Sequence, residues 1–80
     1  MNNTQKLYHA IANALTVEIE LINAETNSDN IDGWDSVGMV RLMIELEKQF
    51  GIKFDVVEIV DFQSVDIIKK NLEKKLIKFN

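Results

Sequence analysis

The stretch DGWDSVGMVRLMIELEKQFG, residues 32–51, decides how this chain is read. Asp35 and Ser36 are both good helix caps and Gly51 supplies a left-handed stop, so a helix is predicted from Asp35 or Ser36 to about Phe50. Its apolar stripe is Val37, Val40 and Ile44, widened by Met43, Leu46 and Phe50. Such breadth implies contact on more than one side, as for the central helix of a bundle.

Towards the carboxyl end, Asp55 can cap a short third helix, Val56–Val60. Ser64 can cap a fourth from Val65 to about Leu76, with the stripe Val65, Ile68, Leu72 and Leu76. Towards the amino end, Thr4 can cap a helix over Thr4–Leu15, in which Leu7, Ile11 and Leu15 recur with Ala10 and Ala14 on the same side. Between Thr16 and Asp35 the periodicity fails, which reads as a long loop with room for a short helical turn. The run VEIELI alternates like a strand, but it has no partner, and an isolated strand leaves its hydrogen bonds unmade. The expected fold is therefore all-α: a four-helix bundle of three longer helices and one short one, with a long loop between the first two.

With 80 residues, 46% of them apolar, one domain over residues 1–80 is expected. There is no cysteine, hence no disulfide and no thiolate metal site to staple the fold, so the core must come from helix packing. No apolar run approaches the ~18 residues of a membrane span and the amino terminus lacks a signal pattern, so a cytoplasmic monomer is expected. The net charge of −4 argues against a nucleic-acid backbone as partner and for a protein partner with a basic patch. That charge is unevenly spread. Residues 1–66 carry twelve acids against Lys6, Arg41, Lys48 and Lys53, whereas residues 67–80 carry Glu73 against five lysines. Six acids and no base lie between Thr16 and Ser36, a solvated loop or a field that steers a basic partner towards Ser36.

Ser36 stands where this acidic loop meets a helix start. It is either a plain helix cap or the acceptor of a phosphate ester, since helix amino termini favour phosphate through free N–H groups and the macrodipole. The larger pattern separates the two. Asp35-Ser36-Val37 is followed by the seam Val40, Leu42, Ile44 and Leu46, by the helix end Glu47-Lys48-Gln49-Phe50, by Ile52-Lys53-Phe54, and by the short and the last capped helices. Over about residues 4–77 this order resembles the acyl carrier protein family.

The resemblance implies that Ser36 is the attachment point of 4′-phosphopantetheine, transferred from coenzyme A by a separate phosphopantetheinyl transferase, with Asp35 marking the recognition face. It implies a carrier with no chemistry of its own, which holds acyl or aminoacyl groups as thioesters on the arm and delivers them to loading and transfer enzymes. A chain without cysteine fits a borrowed thiol. It further implies an apolar seam of Val40, Ile44, Leu46, Phe50, Ile59 and Ile68 that parts to shelter a fatty chain, although the same residues also form the only core available. Val37, Met43, Glu45 and Glu47, with Asp35, are the expected docking residues. Gly38 and Arg41 stand at second-helix surface positions that are commonly acidic in fatty-acid-synthesis members, giving this helix a mixed face. Gly38 reads either as a site of close approach by a partner or the arm, or as a tolerated surface glycine. Trp34 before Asp35-Ser36 is similar to specialised stand-alone carriers. The alternative is an acidic helical interaction module in which Ser36 is only a cap.

Other chemistries fail on the residues. A calcium loop with Gly33 at its sixth position would begin at Ser28 and end at Met39, where an acid and a bidentate Glu are required. His9 is the only histidine and has no oxyanion-hole motif beside it. Glu45 and Glu47, two apart on a helix, do not face each other. The lysines of the carboxyl end are not interleaved with stacking aromatics, as a nucleic-acid surface requires.

Overall fold

The computed structural model describes residues 2–79. In chain order its elements are α1 (Asn3–Leu15), a 3-10 turn (Ile19–Leu21), α2 (Ser36–Phe50), α3 (Val56–Ile59) and α4 (Val65–Lys74). Among the described residues there is no strand, only one isolated antiparallel bridge between Asn27 and Ser64. VEIELI holds the 3-10 turn rather than a strand. Among the described residues no helix is long and apolar enough to cross a membrane.

The cap of α1 is Asn2 instead of Thr4. Its side chain accepts from the Gln5 N–H at 2.8 Å, and the Gln5 side chain reaches back to the Asn2 N–H, a closed capping box that starts the helix at Asn3, one residue before the expected Thr4–Leu15. Leu7, Ile11 and Leu15 then face the core as their spacing predicts. At the other end of the chain, α4 stops at Lys74 and not Leu76. The N–H groups of Lys75 and Ile77 both donate to the Leu72 carbonyl, at 2.9 and 3.1 Å, and Leu76 turns left-handed at φ 70°, leaving its side chain 87% exposed. The tail then crosses back to α1, where the Asn3 side chain donates to the Lys78 carbonyl at 2.8 Å.

The core corrects the stripe assigned to α2. Its buried residues are Gly38, Leu42 and Leu46, four apart, while Val37, Val40 and Ile44 are 61%, 41% and 56% exposed. At 100° per residue these two sets lie on opposite sides of the helix, so α2 carries one apolar stripe inward and another outward. Both were visible as periodicity, and which one packs is settled by α1. Leu15 lies against Gly38, and Leu42 and Leu46 continue that contact line among Leu7, Ile11, Ile68 and Leu72.

The long loop is anchored near its middle. Thr26, almost wholly buried, accepts from the Asn23 N–H at 2.9 Å and donates to the Leu21 carbonyl at 3.2 Å, closing a turn on itself. Its own carbonyl accepts from the Val65 N–H at 3.0 Å, and the Ser28 N–H donates to the Gln63 carbonyl at 2.8 Å. The loop is thus fixed to the start of α4 before it turns into α2.

Candidate functional site

The start of α2 is built by four consecutive residues. Gly33 adopts φ 85°, open to glycine at little cost, and this conformation sets its carbonyl directly against Gly38. A Cβ on Gly38 would collide with that oxygen and come within 3.0 Å of Leu15 Cδ2. Gly38 is buried, so the surface position expected for it is wrong, and the group that approaches it closely is the chain's own loop. Trp34 follows, 4% exposed, its Nε1 donating to the Phe62 carbonyl at 2.7 Å. This bond ties the entry of α2 to the segment between α3 and α4, and it gives Trp34 a structural role in the core.

Asp35 is the cap. Its backbone is extended, its Oδ1 accepts from the Gly38 N–H at 2.9 Å and its carbonyl accepts from the Met39 N–H at 2.8 Å. Ser36 is therefore the first residue inside the helix, exposed, with its hydroxyl released from capping. The reading of Ser36 as the cap is overturned by this one-residue difference. An exposed primary hydroxyl now stands on the first turn of a 15-residue helix, whose leading N–H groups have no acceptor within the helix and whose macrodipole favours an anion. His9 is not beside it: it lines a surface hollow with Ala12, Asn13, Thr16, Val17 and Glu18 on the α1 side. Among the described residues, no three His, Asp or Glu side chains gather as metal ligands.

The family model described as "Phosphopantetheine attachment site" matches residues 5–69. The chain belongs to this family of phosphopantetheine carriers. Its members hold a covalently attached 4′-phosphopantetheine group and are carriers, not catalysts. No curated protein matches the chain. The matched stretch takes in all of α2 and α3, and thus Asp35 and Ser36, and ends inside α4.

The carrier domain distributes the remaining expected residues unevenly. Val37 is exposed beside Ser36, and Met43 and Glu45 are half-buried farther along α2, with Glu45 Oε2 accepting from the Gln49 amide at 3.2 Å. Glu47 is turned inward to the chain itself: its Oε2 accepts from the Phe54 N–H at 2.9 Å and fastens the turn after α2. The six residues expected to shelter a cargo do not share one environment. Leu46 and Ile68 are fully buried, Phe50 and Ile59 are half-buried, and Val40 and Ile44 face solvent on the outward stripe. The resemblance groups them in one seam, and for the four on α2 the periodicity does not reveal which of two stripes turns inward.

The sequence pattern assigns no role to three valines in and beside α3. Val56, Val57 and Val60 are 73%, 73% and 61% exposed. The signal was available, since a four-residue helix has too little surface against the bundle to bury three valines at i, i+1 and i+4.

Proposed function

We propose that Ser36 is the attachment serine of this carrier and that enzymes reading the carrier dock on the outward face of α2. The observation that carries this is the position of Ser36: exposed, one residue past a cap filled by Asp35, and inside the matched stretch. The residues fit a phosphodiester, because its charge would meet unpaired N–H groups and the positive end of α2. When bound, the group supplies a terminal thiol able to hold an acyl or aminoacyl chain as a thioester, and the chain has no cysteine to compete with it.

The protein's own part is positioning. Gly33, Trp34 and Gly38 fix the first turn of α2 against the bundle, so Ser36 is presented from a rigid support. Val37, Val40 and Ile44 offer apolar contact next to it, and Asp35, Met43 and Glu45 frame that contact for a partner with basic residues. Glu47 contributes to docking through the turn it holds. Cargo carried this way reaches successive enzymes at high effective concentration.

The test is to incubate the purified protein with coenzyme A, magnesium and a broad-specificity phosphopantetheinyl transferase and to measure intact mass. A single phosphopantetheine adduct, absent from Ser36→Ala, is expected. No adduct, or an equal adduct on Ser36→Ala, refutes the assignment.

A further inference from the structure

α3 has little of its own to hold it in place. Its cap residue Asp55 makes no side-chain capping bond, none of its residues is buried, and three valines in and beside it face water. The segment is pinned at its ends by Phe54 and Phe62, both buried and packed edge to face at 5.0 Å between centroids. Ile59 is half-buried against the core, and one charged group reaches the helix from elsewhere in the fold. Lys75, the residue after α4, sets its Nζ 3.2 Å from Glu58 Oε1 on α3 and 5.1 Å from the centre of the Phe54 ring. Both charged side chains are 26% exposed, so their attraction is less screened than that of the open pair Lys70–Asp66, at 68% and 61%.

A single ammonium thus holds α3 through a carboxylate in the middle of the helix and an aromatic ring just before it. Lys75 is itself fixed, since its N–H donates to the Leu72 carbonyl at the close of α4. It also lies beyond residue 69, where the family match ends.

We propose that Lys75 is the positioning residue of α3, a clasp that keeps Val56, Val57 and Val60 as one fixed outward face; use of that face by partner enzymes rests on the carrier reading above. Lys75 acts through Glu58 and Phe54 and touches neither Ser36 nor anything bound there.

The experiment is native-state amide exchange by NMR on the full chain, comparing wild type with Lys75→Met, Lys75→Arg and Glu58→Gln. The reporters are the N–H groups of Asp61 and Phe62, which donate to the Glu58 and Ile59 carbonyls at 3.2 and 3.0 Å, read against the amides of α1. Lys75→Met is expected to speed the reporters roughly three- to thirtyfold relative to α1, from loss of the ion pair and the cation–ring contact together. Lys75→Arg, which keeps both, should restore the rates to within about twofold, and Glu58→Gln, which keeps the ring contact, should fall between. Unchanged reporters in Lys75→Met or in the milder Glu58→Gln, acceleration shared equally by α1, or failure of Arg to rescue would each overturn the clasp. Intact-mass loading of the same proteins separates the two readings. A wild type that takes no adduct while its exchange responds as stated supports the clasp and overturns the carrier assignment alone.

Discussion

Two helices of this protein begin at a serine, and the two serines do opposite things. At α4, Ser64 is the cap itself: half-buried, its Oγ accepts from the Ile67 N–H at 3.1 Å, and it joins the Asn27 bridge that ties down the long loop. At α2, Asp35 takes the capping bond and Ser36, one residue later, presents a hydroxyl to solvent. A shift of one residue relative to the cap turns the same side chain from a structural acceptor into a hydroxyl open to solvent. The surroundings differ in the same sense. The start of α2 is braced by Gly33 against Gly38 and by Trp34 against Phe62, which holds the exposed residue still.

Breaking that brace should have the largest effect. Gly38→Val drives a branched side chain into the Gly33 carbonyl and Leu15, so a loss of about 3 kcal/mol is expected, read as a fall in Tm of about 4–8 °C per kcal/mol. If instead the variant melts with the wild type, Gly38 is a tolerated glycine and the brace is not what supports the site. Trp34→Phe keeps the apolar bulk but leaves the Phe62 carbonyl without its donor, at a cost of about 1–3 kcal/mol by denaturant titration. Ser64→Ala should cost about 1 kcal/mol, the usual value of a lost cap, and leave loading from coenzyme A unchanged. Ser36→Ala should sharpen the contrast most, with stability within about 0.5 kcal/mol of wild type and loading abolished. Equal destabilisation by the two alanines would mean that both serines cap, and the comparison would collapse.

Much of this was legible in the sequence, for identifiable reasons. The helices and the left-handed stop at Gly51 follow from caps and periodicity that act within a few residues, and the Asp35-Ser36 pair ahead of an apolar run marks the start of α2. What the sequence left undecided depended on residues far apart in the chain. Two apolar stripes on α2 are equivalent until α1 packs on one of them, so Val40 and Ile44 read as core although they face water. Gly38 reads as a surface glycine until the Gly33 carbonyl, held by its own left-handed turn, is seen against it. Local capping also has near-degenerate choices: Asn2 prevails over Thr4 because Gln5 completes a capping box, and α4 ends before Leu76 because the tail must turn back towards Asn3. That Glu47 also braces the turn after α2 shows only once the Phe54 N–H is placed beside it.

The central claim concerns one oxygen among three serines, and peptide mapping addresses it most directly. After loading with coenzyme A and a broad-specificity transferase, the protein is digested and the adduct is located by fragmentation mass spectrometry. The account predicts the phosphopantetheine group on Ser36 and on neither Ser28 nor Ser64; an adduct on Ser64 or Ser28, or none on Ser36, would contradict it.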